Sequence, residues 1–295
     1  MANIAFIGLG SMGLPLAGSL LAVGHVVTGY DLRSAQLARL QSAGGRAADD
    51  PVFAVSGADF VFTCLPDAAA VRSVWVDNPN MVSAVRKSAV LVDCSTIGVD
   101  EVRAIGTCLE THGLSLLDAP VVGDPRDARA RLVTFVVGGS TAAFAEAKPV
   151  LEDMGEKVIH VGKSGMGQAA ALCNQLMTVI NLMGVAEAFA LAERLGLPVE
   201  KLFEVAALSS ASSWALAERC PQSGLVPEAP SNNLYQAGVP ALQILRQMRL
   251  LEQAAGKVDA RAPLTAQAVD LYGEFCDVRD PRLDFSAVIQ LLRRR

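Results

Sequence analysis

The first thirteen residues constrain the fold of this chain more than any other segment. The apolar run Ile4–Ile7 leads directly into Gly8-Leu9-Gly10-Ser11-Met12-Gly13, and helical sequence follows. A GxGxxG turn between a strand and a helix is typical of dinucleotide binding. Gly8 permits the tight turn, Gly10 lets a pyrophosphate approach the backbone, and Gly13 lets the helix pack closely on the strand. The segment therefore predicts a Rossmann-type fold.

A carboxylate stands where the second strand is expected to end. Asp31 follows the apolar run Val26–Tyr30 and lies 18 residues beyond Gly13. A carboxylate at this point binds the ribose hydroxyls of NAD and repels the 2′-phosphate of NADP. Arg33 follows Leu32 and could accept that phosphate. The sequence therefore predicts NAD as the preferred cofactor, with NADP as the alternative, and the segment Asp31-Leu32-Arg33 as part of its site.

The remaining periodicity divides the chain into an α/β half and a helical half. Apolar, β-branched runs separated by helical sequence predict a doubly wound parallel sheet covered on both faces. After Gly162, residues 166–195 keep helical spacing for about thirty residues, and no convincing strand follows. The predicted fold class is α/β. A Rossmann domain spans residues 1–162, and a helical substrate and oligomerisation domain spans residues 163–295, beginning with the long helix.

The elements expected within these two domains have the following limits. Further strands are predicted at Phe60–Cys64, Val90–Asp93, Leu114–Leu117, Val133–Val137 and Val158–Val161, further helices at Pro198–Leu208, Ala211–Glu218, Pro240–Ala255 and Pro263–Phe275, and a long ordered loop at Pro221–Gly238.

Composition excludes several classes of protein. With 52% hydrophobic and 19% charged residues, the chain is not disordered. A net charge of −5 offers no phosphate-neutralising surface, so nucleic acid is not expected as a partner, and the closing triplet Arg293–Arg295 is expected to be solvated. The apolar stretch Leu176–Ala192 is interrupted by Asn181 and Glu187. We therefore expect a buried helix and no membrane association.

The cysteines and histidines do not form a metal-binding pattern. The six cysteines lie far apart without a CxxC pair, and the three histidines are scattered. Reduced thiols in this arrangement are typical of a cytoplasmic protein, and no metal site is expected. No secretory signal precedes the glycine-rich turn, which agrees with a cytoplasmic location.

Motifs in order along the chain resemble the β-hydroxyacid dehydrogenase family. They are the glycine-rich turn, Cys64-Leu65-Pro66, the segment Val92–Ile97, Asp118-Ala119-Pro120-Val121, Gly165-Met166-Gly167-Gln168, Ser231-Asn232-Asn233 with Tyr235, and Asp284-Phe285-Ser286. The resemblance implies hydride transfer at the nicotinamide C4 to or from a small hydroxy acid. It implies that Cys64-Leu65-Pro66 passes beside the riboses, that Thr96 touches the nicotinamide side, and that the loop after Asp118 holds the substrate carboxylate.

The resemblance also shows what this chain lacks. In the family, a lysine on the long helix exchanges the alcohol proton, and the GxGxxxK spacing from Gly165 and Gly167 places it at Ala171. Asn174 and Gln175 keep the family's polar pattern one helical turn further on. The proton carrier is therefore absent, while polar groups that could position a substrate remain.

The predicted substrate loop departs from the family as well. Val122 stands where a serine hydroxyl would hold the substrate carboxylate, and after Gly123 the acidic Asp124 replaces a glycine that would offer its N–H. A negative charge there disfavours an anionic substrate. In the helical domain the resemblance places Tyr235 and Val239 on the substrate side, with Val239 replacing a phenylalanine, and Arg246 beside the nicotinamide in place of a lysine. Trp214 is a single large apolar residue that is expected to line the core or the substrate cleft.

Three functional hypotheses remain open. The first is an oxidoreductase with a changed substrate, for which an iminium ion is one alternative because a cationic C=N already carries its proton. Asp124 or Asp127 could stabilise that cation, although Asp127 is expected to be solvated. The second is a hydroxy-acid dehydrogenase that uses Tyr235, Asp124 or water for acid–base chemistry, although Tyr235 is expected mainly to pack. The third is a non-catalytic dinucleotide-binding protein.

The partners expected under each hypothesis are the same. A small molecule is the expected substrate or ligand, and neither nucleic acid nor a membrane is expected. Because a long apolar helix is often covered by a second copy of the chain, we expect a homodimer or homotetramer.

Overall fold

The computed structural model describes residues 1–236 and 238–293, and in this part of the chain nine strands form one sheet. The strands are β1 (Asn3–Ile7), β2 (Val26–Tyr30), β3 (Arg46–Ala47), β4 (Phe60–Thr63), β5 (Val90–Asp93), β6 (Ser115–Asp118), β7 (Val121–Val122), β8 (Thr134–Gly138) and β9 (Lys157–Gly162). The order across the sheet is β3-β2-β1-β4-β5-β6-β8-β7, and β9 also pairs with β8.

The same described residues form fourteen α-helices and two short 3₁₀ helices, Pro230–Asn233 and Phe285–Val288. The α-helices are α1 (Gly13–Ala22), α2 (Ser34–Ser42), α3 (Pro51–Val55), α4 (Ala68–Trp75), α5 (Pro79–Ala84), α6 (Val99–Glu110), α7 (Pro125–Ala130), α8 (Thr141–Glu152), α9 (Met166–Leu195), α10 (Val199–Ala207), α11 (Trp214–Arg219), α12 (Ala241–Lys257), α13 (Pro263–Val278) and α14 (Ile289–Leu292).

The predicted parallel sheet is confirmed for β3, β2, β1, β4, β5 and β6, which all pair in parallel. It is wrong at the next strand, because β8 runs antiparallel to both β6 and β7. The chain returns from β6 through the two-residue β7 and the single short helix α7. That connection joins antiparallel neighbours, whereas parallel neighbours need a longer crossover. The sheet is therefore mixed, and β9 again pairs in parallel with β8.

The central strands of the sheet, β1, β4 and β5, are buried on both faces, as their apolar sequences require. In β1, Ile4 and Phe6 pack into one core cluster while Ala5 and Ile7 pack into another, because successive side chains of a strand point to opposite faces. Each cluster is completed by the helices on its own side of the sheet. The carboxyl ends of the parallel strands are thereby held at one rigid edge.

Most predicted elements are confirmed with small changes in their limits. The long helix has its predicted limits, but β6 and β8 each begin one residue later than expected. The two-residue strands β3 and β7 were not predicted, because each is shorter than the about four to eight residues over which a strand pattern can be recognised. Helix α11 begins three residues later than expected, because the Ser213 side chain accepts a hydrogen bond from the Leu216 N–H and so caps the helix at Trp214. The predicted loop Pro221–Gly238 contains one 3₁₀ helix, and Ala237 lies outside the described residues.

The chain divides into two compact units within α9, at residues 1–171 and 172–295. The core of the second unit is formed by one face of α9 packed on α12 and α13. Its largest fully buried side chains are Phe189, Tyr272, Phe275 and Phe285. Near the end of the chain, the Arg293 guanidinium donates hydrogen bonds to the Glu193 carboxylate and to Gln222. The prediction of a solvated terminus is therefore wrong for Arg293, and Arg294 and Arg295 lie outside the described residues.

Helix α9 is less buried than the sequence predicted. An 18-residue stretch of this helix has a mean hydropathy of 1.5, and 33% of that stretch is buried. Val179, Leu182 and Ala186 are buried at helical spacing, whereas Met177 and Leu191 are more than half exposed. By length and composition alone this helix would also suit a membrane span, a test that core helices of soluble proteins pass too.

Candidate dinucleotide and active site

The glycine-rich turn has a backbone that only glycine fits. Gly8 has a φ of +93°, and a Cβ there would lie 2.4 Å from the Cys64 carbonyl oxygen. A Cβ on Gly13 would lie 2.0 Å from the Gly8 carbonyl oxygen. A distance below 3 Å to backbone atoms cannot be relieved by moving a side chain, so both glycines are required for the close approach of β1, β4 and α1.

Helix α1 begins at this turn with its N–H groups directed to the loop. The ten-residue helix has no side-chain cap at Met12 and no acidic residue in its first turn. The first N–H groups of a helix lack intrahelical partners and, with the helix dipole, favour an anion. The turn and α1 therefore fit the pyrophosphate of a dinucleotide, for which Gly8, Leu9, Gly10, Ser11, Met12 and Gly13 would form the binding segment.

Asp31 is fixed at the end of β2 by the turn itself. Its Oδ2 accepts a hydrogen bond from the Leu9 N–H at 2.8 Å. Its Oδ1 accepts from the backbone N–H of Arg33 at 2.9 Å and from the Arg33 Nε at 3.0 Å. Although burial acts in the opposite direction, these hydrogen bonds hold the pKa of Asp31 below its ordinary value. An ionised carboxylate therefore stands beside the turn, where ribose hydroxyls would bind.

Arg33 is paired with Asp31 and lies close to the turn. The guanidinium is exposed, and a Cβ on Gly10 would lie 3.9 Å from its Nη2. Leu32, between the two charged residues, is 90% exposed. The guanidinium is therefore held beside the glycine-rich turn by Asp31, the carboxylate that disfavours a 2′-phosphate.

The loop after β4 borders the same edge. Its first residue is the half-buried Cys64, and desolvation together with the nearby Asp93 raises the pKa of its thiol to about 12, so the thiol is protonated at neutral pH. The Leu65 N–H donates to the Ser95 hydroxyl at 2.9 Å, and Pro66 is exposed. The predicted cofactor residues Cys64, Leu65 and Pro66 therefore lie at the strand edge beside the turn, joined to the segment that contains Thr96.

Asp93 ends β5 in a buried polar cluster. Its Oδ1 accepts hydrogen bonds from the Thr63 hydroxyl at 2.7 Å and the Ser95 hydroxyl at 2.7 Å, while its Oδ2 has no hydrogen-bond partner among the described residues. Burial raises the pKa of Asp93, against the lowering effect of the hydrogen bonds from Ser95 and Thr63. The hydrogen bonds of this carboxylate therefore order the ends of β4 and β5, while its removal from water costs free energy.

The raised pKa of Asp93 predicts a pH dependence of stability. Because the folded-state pKa lies above the unfolded value, the stability linked to this group is fully present below about pH 3.9 and is lost as the pH rises through the folded pKa. In the wild-type chain, the free energy of unfolding should therefore decline as the pH rises from acidic to neutral. We expect this decline to be smaller in Asp93→Asn, measured by urea unfolding, because the contribution of Asp93 is missing. The exposed-site variant Asp49→Asn should keep it, and an unchanged profile in Asp93→Asn would contradict the assignment.

The start of α9 is held by a carboxylate from β6. Asp118 is 1% exposed, and its two oxygens accept hydrogen bonds from the Gly165 N–H at 2.8 Å and the Gln168 N–H at 2.9 Å. A Cβ on Gly167 would lie 2.5 Å from the Val136 carbonyl oxygen. The first turn of the helix is therefore packed directly on the sheet, and Asp118 satisfies the N–H groups of Gly165 and Gln168 at its start.

Gln168 joins α9 to the segment that follows β5, and the sequence analysis assigned it no role. Its side chain is fully buried, its Nε2 donates to the Ser95 carbonyl oxygen at 2.7 Å, and its Oε1 accepts from the Ile97 N–H at 3.2 Å. The two groups that it pairs flank Thr96, the residue assigned to the nicotinamide side. The available signal was a polar residue beside the helix-entry glycines, but its partners lie more than 70 positions away.

Ala171 lies one helical turn beyond Gln168 and is half-buried. On the same helix, Asn174 and Gln175 follow at i+3 and i+4, the spacing that places side chains on one face, and both are half-buried. The polar pair predicted from the sequence is therefore present on α9. The methyl group of Ala171 can neither donate nor accept a proton.

The predicted substrate loop is a capped helix in this chain. Asp124 is 4% exposed and forms a capping box with Asp127 at the start of α7. The Asp127 side chain accepts from the Asp124 N–H at 2.8 Å, so the prediction of a solvated Asp127 is wrong. Val122 is half-buried in β7, and Gly123 has a φ of +138° that suits glycine. The capping role of Asp124 was not predicted; the prediction concerned only its negative charge.

In the second unit, the predicted residues lie in different local surroundings. Tyr235 is buried, and its hydroxyl donates to the Pro221 carbonyl oxygen at 2.7 Å. Burial raises the pKa of the Tyr235 hydroxyl, which agrees with a packing role. Trp214 is 49% exposed, with the Arg219 guanidinium 5.4 Å from its ring centroid.

The other two predicted residues of the second unit lie on the loop before α12 and on that helix. The Val239 N–H donates to the buried Asp284 carboxylate at 2.7 Å, so Asp284 orders the loop before α12. Arg246 is exposed on α12. In the described residues no group of three or more His, Cys, Asp and Glu side chains could hold a metal ion.

Comparison with known protein families gives two adjoining matches. Residues 3–162 match the model described as the NAD-binding domain of 6-phosphogluconate dehydrogenase. Residues 165–292 match the model described as the NAD-binding domain of NADP-dependent 3-hydroxyisobutyrate dehydrogenase. Together these matches cover nearly the whole chain.

Individual relatives agree with these matches over their full length. A probable 3-hydroxyisobutyrate dehydrogenase of Mycobacterium tuberculosis is 39% identical and covers 100% of this chain and 99% of its own. The 3-hydroxyisobutyrate dehydrogenase of Pseudomonas aeruginosa is 38% identical and covers 99% of each chain. The solved structure of the M. tuberculosis enzyme with L-serine superposes with a TM-score of 0.94 at 38% identity and covers 100% of both chains. The chain therefore belongs to the β-hydroxyacid dehydrogenase family, and it is an NAD(P)-dependent oxidoreductase resembling 3-hydroxyisobutyrate dehydrogenase.

Proposed function

We propose that this oxidoreductase transfers hydride to or from a small substrate whose conversion does not require a proton carrier at position 171. When bound, a nicotinamide dinucleotide supplies or accepts that hydride at its C4. The observation that carries the proposal is Ala171 itself, on a helix whose start is anchored to the strand edge by Asp118 and Gln168. The scaffold that would orient a lysine is ordered, while the lysine is absent.

The chemical consequence of Ala171 is large for alcohol oxidation. Taking the proton from an alcohol requires a positioned base, and losing a general acid–base typically costs about 10²–10⁴-fold in rate. Tyr235 does not supply an evident replacement, because its hydroxyl donates to a carbonyl oxygen and its pKa is raised. The carboxylate of Asp124 already accepts hydrogen bonds from the helix that it caps. Ordinary hydroxy-acid turnover is therefore expected to be slow.

Reduction of an iminium ion is the second candidate, and the absence of a lysine ammonium favours it. A cationic C=N already carries its proton, so hydride addition requires no acid, and a lysine ammonium would repel it. The engaged carboxylates of Asp124 and Asp127 weaken the idea that either one protonates the product. In this reaction the substrate brings its own proton, and the side chains of α9 only orient the substrate.

A panel assay tests the proposed function. NADH binding to the purified chain is titrated by fluorescence, and turnover is then measured with 3-hydroxyisobutyrate, its aldehyde, L-serine and a cyclic imine. Binding with imine turnover and little hydroxy-acid turnover supports the proposal. Binding with fast hydroxy-acid oxidation overturns it. Binding with no turnover of any substrate favours a non-catalytic dinucleotide-binding protein instead.

The cofactor preference follows from the Asp31–Arg33 pair. We propose that NADH binds more tightly than NADPH, because the ionised Asp31 accepts ribose hydroxyls and repels a 2′-phosphate. In Asp31→Ala the carboxylate is lost and Arg33 is released to pair with that phosphate. We expect the ratio of NADPH to NADH affinity to rise by about tenfold or more, or about 1.4 kcal/mol, in fluorescence titrations. Asp50→Ala, which removes a remote helix cap, should leave the ratio unchanged, and NADPH preference in the unmodified chain would contradict the assignment.

We propose a homodimer or homotetramer in which a second copy covers part of α9. The apolar side chains of Met177, Leu191 and Leu195 are more than half exposed on this helix. The polar side chains of Asn181 and Glu187 on the same helix are exposed too. Because polar and charged side chains are costly in a membrane, this surface suits a protein partner better than lipid. Light scattering after size-exclusion chromatography would show the mass of two or four chains. A monomer would contradict this proposal. We also propose that the protein is cytoplasmic.

A further inference from the structure

Two buried carboxyl groups lie at paired positions of neighbouring strands. Asp93 ends β5 and Asp118 ends β6, and the two residues are partners in the register of these parallel strands. Both side chains are almost completely buried. Two negative charges at neighbouring positions repel each other, and each would also lose its hydration. The hydrogen bonds of the two side chains therefore decide which of them carries the charge.

The hydrogen bonds of Asp118 suit an ionised carboxylate. Each of its oxygens accepts from a backbone N–H, that of Gly165 at 2.8 Å or that of Gln168 at 2.9 Å. These donors lie at the start of α9, where the helix dipole favours a negative charge. Burial raises the pKa of Asp118, and these hydrogen bonds act against that shift. Because an N–H can only donate, a proton on either oxygen would weaken one of the two bonds.

The hydrogen bonds of Asp93 are all on one oxygen. Its Oδ1 accepts from the Thr63 hydroxyl and the Ser95 hydroxyl, both at 2.7 Å, and from the Ser95 N–H at 3.3 Å. Its Oδ2 is buried and has no hydrogen-bond partner among the described residues. A negative charge is shared by both oxygens and needs partners on each, whereas a neutral acid has one accepting oxygen and one O–H. The asymmetry therefore fits Oδ1 as the carbonyl oxygen and Oδ2 as the hydroxyl.

The surroundings of Asp93 act in the same direction. Burial raises the pKa of Asp93, and the neighbouring Asp118 adds to this effect. The hydrogen bonds to Asp93 act against the shift without reversing it. The other titratable groups that interact with Asp93 are the thiols of Cys64 and Cys94, whose pKa values are themselves raised by burial, so both thiols are neutral. The proton of the carboxyl pair therefore belongs to Asp93.

We propose that Asp93 is held as a neutral carboxylic acid and positions Ser95, which in turn holds the loop after β4 against the glycine-rich turn. The Ser95 hydroxyl donates to Asp93 and accepts from the Leu65 N–H at 2.9 Å. A Cβ on Gly8 would lie 2.4 Å from the Cys64 carbonyl oxygen and 2.9 Å from the Leu65 Cδ2, so this loop touches the turn directly. Asp93 is thus a positioning residue of the dinucleotide site, whatever the substrate of the reaction.

Infrared spectroscopy reads the protonation state of Asp93 directly. At neutral pH, the spectrum of the unmodified chain minus that of Asp93→Asn should contain the C=O band of a carboxylic acid, and this band should shift in D₂O. The matched difference for the exposed Asp49→Asn should contain only carboxylate bands. A difference spectrum for Asp93→Asn that contains only carboxylate bands would overturn the proposal.

Two substitutions at position 93 test the positioning role in NADH titrations. Asparagine has the shape of a neutral aspartic acid and keeps an accepting oxygen, whereas leucine leaves the donors of Thr63 and Ser95 unpaired. We expect Asp93→Asn to bind NADH within about threefold of the unmodified chain, and Asp93→Leu to bind about tenfold or more weakly. Equal losses in the two variants, no loss in either, or no NADH binding by the unmodified chain would overturn this role.

The partner carboxyl group provides a matched contrast that does not depend on the dinucleotide. Asp118→Asn places an amide NH₂ against one of the two N–H groups that Asp118 accepts, whereas Asp93→Asn places its NH₂ where Oδ2 has no partner among the described residues. In urea unfolding at neutral pH, the midpoint should therefore fall further for Asp118→Asn than for Asp93→Asn. The reverse order would place the charge on Asp93 and overturn the proposal.

Discussion

Introducing a lysine with Ala171→Lys is expected to raise kcat for 3-hydroxy-acid oxidation by about 10²–10⁴-fold, the usual worth of a positioned acid–base group. Lysine has a helix propensity close to that of alanine, and α9 is anchored upstream by Asp118 and Gln168, so the helix should accept it. KM should stay high, because the loop around Asp124 still offers few groups to a carboxylate. Steady-state kinetics with NAD separates the two parameters.

The neighbouring variant Ala170→Lys is the matched control for this result. Ala170 is half-buried on the same helix, one residue earlier, so it tests the added charge without the required position. Its kcat should remain at the level of the unmodified chain. Equal gains from both lysines, or no gain from Ala171→Lys in a protein that still binds NADH, would contradict the assignment of position 171.

Removing the buried amide in Gln168→Ala is expected to lower the free energy of unfolding by about 2–6 kcal/mol. The substitution leaves the Ser95 carbonyl and the Ile97 N–H without partners, and each unpaired buried polar group costs about 1–3 kcal/mol. NADH binding should weaken by about tenfold, because these two groups hold the segment around Thr96. Urea unfolding and fluorescence titration measure the two effects separately.

The exposed glutamine at position 41 provides the comparison for this variant. Gln41→Ala should change the free energy of unfolding by less than about 0.5 kcal/mol, as surface substitutions usually do. If Gln168→Ala loses stability but binds NADH as tightly as the unmodified chain, the residue is structural only. That outcome would remove the proposed link between the start of α9 and the nicotinamide side.

Local signals in the sequence predicted most of the first unit. The strand, glycine turn and helix around Gly8–Gly13 are encoded within a few residues, because apolar pattern and glycine backbone freedom act locally. The long helix was predicted with its observed limits for the same reason. The strand β8 was predicted, but its antiparallel direction was not, because strand direction depends on how the chain returns from β6, which an apolar run does not encode.

The site divides in the same way between local and distant contacts. The side chain of Gln168 pairs with groups more than 70 positions away, and no pattern near Gln168 indicates them. The capping role of Asp124 was readable, since a proline follows it and an acidic residue stands three positions on.

Our proposal is that the chain keeps a dinucleotide site while lacking the proton carrier of hydroxy-acid chemistry. Its most direct test is one experiment, in which NADH fluorescence is titrated with the unmodified chain and followed after adding the aldehyde of 3-hydroxyisobutyrate. We predict saturable NADH binding and a signal that then stays nearly constant. Absence of saturable binding, or rapid loss of NADH on adding the aldehyde, would contradict the claim.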